Sequence, residues 1–578
     1  MTKRKAEVVM PPRWRGAFVL SLLVLCAAGL VARAVNLQVV DNRFLADQGD
    51  ARHLRVETIV AHRGPIFDRH GEPLAVSTPV DSVWANPKEL ASATDRFAQL
   101  AKAVGRDQQW LMRRVSANLD REFIYLRRHL RPDAAARVQG LRMPGVYIQR
   151  EYRRYFPAGE VAGHVLGFTD VDDVGQEGLE LAYDHWLRGA PGAKRVLRDR
   201  LGRSIENVES IEAASPGKPL ESSLDLRIQY LAYRSLKAAV RDHGAKSGSV
   251  VVLDVDTGEV LAMANQPSYN PNDRSQFSVA RYRNRAVTDI FEPGSSLKPL
   301  VIAAALESGE YAPGTSIDTS PGYVRVGAKL IEDTRNLGAI DVTTVLARSS
   351  NVGATRIALS LPAEQLWGVL SGFGLGRVTT SGFPGESAGL LNNYEHWRPI
   401  GQATLAYGYG LSVTPLQLAS AFSAIGAGGL QRPVTFLRTD SPMAPSRVVS
   451  RATANSLLNM MEVVVSDAGT GGKAAVERYR VAGKTGTARK FEAGGYSESR
   501  YTSSFVGVAP VSNPRLAIAV VIDEPGGDLY YGGDVAAPVF ADVMAGSLRL
   551  LAVPPDALDD AGPELMLQAM APVREADQ

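Results

Sequence analysis

Residues 17–32 are apolar at every position but Ser21; Arg33 interrupts the run, and Ala34, Val35 and Leu37 continue it. That length suffices to span a membrane, with Arg33 reaching to the interface. The periodicity then changes. An extended juxtamembrane stretch leads into residues 53–60, which alternate like a strand. Ile66-Phe67 and the apolar residues 74–76 flank Asp68 to Gly71, which predicts a hairpin turn. Residues 88–140 read as short charged helices, and the turn-rich Gly175-Gln176-Glu177-Gly178-Leu179-Glu180 precedes a helix near 181–187. After Ser215-Pro216-Gly217 a new domain opens with a helix over 225–241. Two apolar runs, 249–254 and 259–263, flank Asp256-Thr257-Gly258 and predict a second hairpin. Helical segments dominate to about residue 465, and strands return at 479–487, 503–508 and 516–522. Strands, then helices, then strands imply one sheet assembled from both ends of the domain, with helices packed on it. The fold class is mixed α+β. No internal repeat is present.

The chain has 578 residues, 45% hydrophobic and 22% charged, a globular composition of more than one domain. A net charge of +3 gives no case for nucleic acid. Lys3, Arg4, Lys5, Arg13 and Arg15 precede the apolar run against a single acid, Glu7. This bias predicts a cytoplasmic N-terminus, with everything beyond about residue 40 outside. Ala32-Arg33-Ala34 resembles a signal-peptidase site, but the apolar run is at the upper limit for a signal core and continues past it. Leu23, Val24 and Leu25, before Cys26, lack the small residue of lipoprotein processing. The segment reads as an uncleaved anchor. Cys26, the single cysteine, cannot form an internal disulfide and does not reveal the compartment. The expected divisions are a cytoplasmic tail (1–16), an anchor (17–37), a pedestal (45–215), a catalytic domain (216–553) and a poorly ordered Pro-, Ala- and acid-rich tail (554–578).

Ser295-Ser296-Leu297-Lys298, after Phe291-Glu292-Pro293-Gly294, sets a hydroxyl three residues before an amine at the start of an apolar helix. Residues three apart share a helix face, so Lys298 can reach the Ser295 hydroxyl and take its proton. Ser296 points about a quarter-turn away and has no lysine three residues on. Alone, the pattern is unspecific: Ser215-Pro216-Gly217-Lys218 fits it too, within a turn, and Ser295 could equally be an N-cap and Lys298 a solvated lysine.

Two more motifs follow in order. Ser349-Ser350-Asn351 stands at a helix start, and Lys484-Thr485-Gly486-Thr487 lies on a strand. Singly, these read as caps, β-branched strand residues and an edge charge that blocks aggregation. Ser116-Ala117-Asn118 and Ser268-Tyr269-Asn270 fit the first pattern and Lys246-Ser247-Gly248 a looser form of the second, but they do not form a set in the right order with suitable flanks. The ordered set of three is the specific signal.

Ser-x-x-Lys, Ser-x-Asn and Lys-Thr-Gly together resemble the signature of the penicillin-recognising acyl-serine transferases. Arg63-Gly64 through Ala75, Gly175 to Glu180, Asn284-Arg285-Ala286, Tyr530-Tyr531-Gly532-Gly533 and Ala537-Pro538-Val539-Phe540 extend the likeness to about residue 550. In these the chain resembles a class B penicillin-binding protein of the cell-division type. The resemblance implies a central antiparallel sheet with helices on both sides, on an elongated pedestal with one membrane anchor. It implies that Ser295 attacks the penultimate D-Ala carbonyl of a peptidoglycan stem peptide, expels the terminal D-Ala and leaves an acyl-enzyme, and that β-lactams inhibit by reacting covalently with the enzyme. Lys298 would be the base, kept neutral by burial and by Lys484. Ser349 would relay a proton to the leaving amine, and Asn351 would bond both Lys298 and the substrate amide. Lys484, Thr485 and Thr487 would hold the terminal carboxylate, and Gly486 would let the substrate backbone approach as an added strand. The N–H groups of Ser295 and Thr487 would form the oxyanion hole. No metal and no cofactor are implied. The implied partners are an FtsW-type membrane glycosyltransferase and other divisome proteins, at the division septum of the bacterial inner membrane.

Rival classes share parts of this pattern. A secreted β-lactamase or a carboxypeptidase does not need the anchor and pedestal, and a β-lactam sensor would carry more spanning helices. A bifunctional synthase would need a glycosyltransferase domain. A Ser-His-Asp hydrolase would need a Gly-x-Ser-x-Gly elbow, which is lacking, and only His243 and His396 fall in the catalytic half. An elongation-type transpeptidase differs from the division type here only by resemblance.

Overall fold

The computed structural model describes residues 13–40, 54–59, 61–198, 204–492 and 494–557. Arg13–Val35 is one helix, continued by Asn36–Val40. Within the 27-residue span Trp14–Val40 an 18-residue window has a mean hydropathy of 2.4, and among the described residues this is the one helix long and apolar enough to cross a membrane. The helix begins four positions before the expected anchor boundary; residues 1–12 and most of the juxtamembrane stretch lie outside the described residues.

The chain forms two compact units, 1–61 with 189–216 and 62–188 with 217–578. Besides the helix, the first holds an antiparallel sheet in which Gly192–Arg198 lies between Leu54–Ile59 and Ser204–Glu212. The strand expected at 53–60 is the first of these.

In the second unit, Ile66–Phe67 pairs with Pro73–Ala85 across the expected turn. Asp68 Oδ1 accepts the N–H groups of His70 and Glu72, each at 2.8 Å. Pro73–Ala85 also pairs with Val146–Tyr155 and Ile124–Leu130. The strand Ile124–Leu130 falls where the sequence predicted only charged helices. Its buried Ile124 and Leu126 keep the two-residue period, but the next inward position is Arg128, bonded to Glu151, so the segment does not read as apolar alternation. The helix expected near 181–187 is two short ones, Gly178–Ala182 and Asp184–Arg188.

The two turn-rich motifs of this region meet in one buried ionic cluster. Arg63 donates to Glu180 Oε2 at 2.7 Å and to Asp184 Oδ1 at 2.8 Å, while Arg154 donates to Glu180 Oε1 at 2.5 Å. Charges this deep are tolerated because each is paired and hydrogen-bonded.

The main sheet is five-stranded and antiparallel, in the order Val260–Gln266, Ser247–Asp254, Leu516–Asp523, Gly495–Ala509, Ala482–Glu492. Both ends of the domain build it, as expected. Val250 and Val252 pack on one face with Leu226–Asp242 and Ala537–Leu550; Val251 and Leu253 pack on the other with Pro415–Gly426. Burial on both faces is why these strands read as continuous apolar runs. Within the helical region lie three small hairpins or ribbons that the sequence did not predict, among them Tyr323–Val326 with Lys329–Glu332.

Of the tail expected to be poorly ordered, residues 554–557 are described, and two of them bond to the domain. Asp556 accepts the N–H groups of Arg480 at 2.7 Å and Ser512 at 3.0 Å, and Ala557 N–H donates to Arg478 O at 3.0 Å. Residues 558–578 lie outside the described residues.

Candidate active site

Ser295 sits on a one-turn 3-10 segment, Gly294–Leu297, that runs directly into the helix Lys298–Glu307. Gly294 enters the turn at φ +55°, open to glycine at little cost. Its N–H donates to Gly408 O at 3.1 Å, fixing the turn against a neighbouring loop. The helix is buried from Lys298 to Ala305, so the lysine at its first position is carried wholly inside. Ser296 is also buried, and its hydroxyl donates to Pro293 O at 2.7 Å. Of the two adjacent hydroxyls, only Ser295 lines the cleft.

Lys298 Nζ bonds elsewhere than the spacing suggested. It donates to Ser349 O at 2.5 Å and Asn351 Oδ1 at 2.8 Å, and lies 3.2 Å from Ser349 Oγ. Among the described hydrogen bonds none joins it to Ser295. Lys484 is equally buried; its Nζ donates to Ser349 Oγ at 3.0 Å and to Thr485 O and Oγ1, each at 3.2 Å. The Ser349 hydroxyl therefore bridges the two amines. Burial first, and then the Lys484 cation, hold the Lys298 amine well below its ordinary range. Burial alone brings Lys484 down to about 7.

Ser349 adopts φ +58°, uncommon for a residue with a side chain. Ser350, not Ser349, caps the helix Asn351–Ser360: its Oγ accepts Gly353 N–H at 2.9 Å and donates to Asp333 Oδ2 at 2.5 Å. Asp333 Oδ1 also accepts the N–H groups of Asn351 at 2.5 Å and Val352 at 3.1 Å. The Asn351 amide nitrogen donates to Glu332 O at 3.2 Å, so one of its two hydrogens is already taken by the protein.

Thr485 and Thr487 lie on Ala482–Glu492, the last strand of the sheet, whose outer edge no strand among the described residues covers. Thr485 Oγ1 lies 2.9 Å from Thr470 Oγ1, and Thr487 Oγ1 accepts Gly532 N–H at 3.0 Å. The glycine at 486 has a packing reason besides the expected one. A Cβ there would stand 2.3 Å from Ser504 Oγ, 2.6 Å from Pro293 O and 3.1 Å from Ser296 Oγ. Glycine lets the turn that carries Ser295 seat against the strand.

A cleft of about 730 Å³ connects these groups, lined by Ser295, Ser349, Asn351, Thr485 and Thr487. The two lysines lie beneath its floor. Sequence reading missed Asp333, Thr470 and Gly532. Only Gly532 had a signal, in the Tyr530-Tyr531-Gly532-Gly533 stretch. The second Ser-x-x-Lys match forms no comparable pair: Lys218 lies over the Trp186 ring, 4.6 Å from its centre. Among the described residues no cluster of His, Cys, Asp and Glu could hold a metal.

Known proteins resemble this chain along most of its length. Residues 248–545 match the model of the penicillin binding protein transpeptidase domain, and residues 58–222 that of the penicillin-binding protein dimerisation domain. The chain is 43% identical over 561 residues to the peptidoglycan D,D-transpeptidase FtsI of Escherichia coli, covering 96% of this chain and 95% of that one. It is 41% identical over 564 residues to the probable peptidoglycan D,D-transpeptidase PenA of Neisseria meningitidis, covering 96% of each. Among solved structures, the transpeptidase domain of Burkholderia pseudomallei penicillin-binding protein 3 is 43% identical, with a TM-score of 0.54, over 58% of this chain and 97% of that one. Penicillin-binding protein 3 of Mycobacterium tuberculosis, complexed with aztreonam, is 29% identical, with a TM-score of 0.67, over 86% and 98%. With matches that run almost end to end and two family domains in sequence, the chain belongs to the penicillin-binding proteins.

Proposed function

We propose that this chain is a peptidoglycan D,D-transpeptidase that cross-links stem peptides through an acyl-serine on Ser295, and that β-lactams acylate the same hydroxyl. The observation that carries this is the buried Lys298 amine. Two of its contacts, Ser349 O and Asn351 Oδ1, are acceptors that can only take its N–H groups. A neutral amine has two such hydrogens, so its lone pair is left for a hydroxyl. Ser295 stands at the cleft wall on the turn that ends at this lysine.

In acylation, the Ser295 oxygen bonds to the penultimate D-Ala carbonyl carbon as its proton passes to Lys298. The tetrahedral oxyanion is held by the N–H groups of Ser295 and Thr487. The Ser349 hydroxyl, between the two amines, delivers a proton to the departing D-Ala nitrogen as the C–N bond breaks, and is reprotonated from Lys298. The Lys484 cation with Thr485 and Thr487 holds the terminal carboxylate. An incoming stem-peptide amine then takes the acyl group and frees Ser295.

The apolar N-terminal helix anchors the chain in the cytoplasmic membrane, and the catalytic domain works outside it, at the division septum. Its partners are an FtsW-type glycosyltransferase and other divisome proteins. Fluorescent penicillin should label the purified protein and fail to label Ser295→Ala; a Ser295→Ala protein that is still labelled disproves the assignment. Depletion in cells should give filaments; spheres would point to elongation instead.

A further inference from the structure

On the dimerisation-domain side of the second unit, away from the cleft, lies a cavity of about 470 Å³ whose wall is unusually cationic. Arg106, Arg127, Arg128, Arg153 and Arg274 line it. Arg128 alone is bonded to carboxylates, those of Glu151 and Asp172. Arg153 and Arg274 use their described hydrogen bonds on backbone carbonyls, of Asn272 and of Thr169 and Asp170. Arg106 and Arg127 form no ion pair among the described residues. No carboxylate is among the residues that line the cavity: Glu151 and Asp172 pair with Arg128, Asp170 and Asp173 act on Arg274 from beside it, and the five guanidinium groups are the charges that face the concavity.

Folding gains nothing from like charges collected this way. Burial, then the neighbouring Arg153, lower the Arg274 guanidinium from its ordinary range, and Arg128, Arg153 and Arg274 all add to the burial that lowers His129. His129 lines the same cavity at φ +57°; its Nε2, 3.5 Å from Glu151, is buried without a hydrogen-bond partner. Two aromatic rings stiffen the wall. Arg106 lies 5.2 Å over Trp110 and Arg128 4.7 Å over Tyr125. The guanidinium forks are thus partly fixed before any ligand arrives, and their planar geometry suits carboxylates and phosphates. Beside the wall, one carboxylate is already held in this way: Glu151 accepts Arg128 Nε at 3.1 Å and Tyr125 Oη at 2.7 Å.

We propose that this cavity is a second hold on the peptidoglycan strand, binding carboxylates of its stem peptides. The inference rests on the transpeptidase reading, because it takes the polymer handled in the cleft to be the ligand here. The volume suits a disaccharide or short peptide rather than a lone ion. Several forks spread around it match a chain that repeats its carboxylates.

The test uses full-length protein in detergent micelles and uncross-linked glycan strands that keep their stem peptides, released by a D,D-endopeptidase, with binding followed by calorimetry. Arg127→Ala with Arg153→Ala should weaken binding at least tenfold. Arg127→Gln alone should weaken it in the same direction, should the double variant fold poorly. Strands stripped of peptide by an amidase, and inorganic pyrophosphate, should not compete. Equal binding by parent and variants overturns the proposal, as does equal binding of stripped strands, of pyrophosphate as a stand-in for the lipid carrier, or of an unrelated acidic peptide. Fluorescent-penicillin labelling of the same samples reads the cleft separately. Loss of strand binding with label retained supports the cavity; absence of label from the parent disproves the transpeptidase reading whatever the strands do.

Discussion

Asp333 accepts the backbone N–H of Asn351 at 2.5 Å, which makes a loop carboxylate the support for the amide that bonds Lys298. The same carboxylate takes Ser350 Oγ and Val352 N–H, so it occupies the positive end of the helix Asn351–Ser360. Asp333→Asn keeps the shape but loses the charge and one acceptor. Acylation by benzylpenicillin should fall about tenfold, equivalent to about 1.4 kcal/mol. Asp333 also favours the protonated form of Lys298, so the acid limb of the rate profile should move to lower pH in the variant. A variant with the parent's rate and profile would make Asp333 a cap only.

The two lysines set the pH dependence with opposite signs. Lys298 acts as base when neutral, and its lowered range makes that form available without strong alkali. Lys484 holds a carboxylate when charged, and it loses its proton in the free enzyme as pH rises through about 7. The second-order acylation rate, which reports the free enzyme, should therefore rise, peak and fall on the alkaline side. Stopped-flow acylation between pH 5 and 9 checks this; a rate that climbs steadily to pH 9 would contradict it.

Gly486→Ala should separate packing from substrate access. The new methyl meets Ser504 Oγ, Pro293 O and Ser296 Oγ, all inside the protein. Overpacking of this kind costs about 1–3 kcal/mol. The Tm should fall and acylation should slow together, because the turn bearing Ser295 is pushed off the strand. An unchanged Tm with impaired acylation would leave the substrate-approach explanation alone.

Arg63→Met should damage the protein without touching the cleft. It takes one cation out of a buried cluster, leaving Arg154 alone on Glu180 and Arg188 alone on Asp184, and removing one partner of such a cluster costs up to about 3–5 kcal/mol. Thermal unfolding and yield should suffer, while whatever protein folds should bind penicillin at the parent's rate.

That Ser295, Lys298, Ser349, Asn351 and Lys484 come together was legible, because each motif is a few residues long and the three stand in a set order with the right flanks. Their bonding was not legible. Spacing along a helix suggested that Lys298 faces Ser295, yet its hydrogen bonds go to residues on another helix start, brought in by tertiary packing. Asp333 gave no signal for the same reason: its partners are on a different element. In the fold, sheet strands with both faces buried declared themselves as apolar runs. The strand Ile124–Leu130 did not, because an ion pair occupies one of its inward positions.

The sheet order has a bearing on how the chain comes to be active. The hairpin of Ser247–Asp254 and Val260–Gln266 is synthesised early, yet the neighbour of its inner strand is Leu516–Asp523. Until that distant segment arrives, an apolar strand edge waits unpaired, which invites mispairing and slows folding. Lys484 reaches Ser349 only on a strand laid down in the same late step. A nascent chain halted before this point carries the nucleophile but lacks the second amine, so acylating power comes with completed synthesis and not gradually along it.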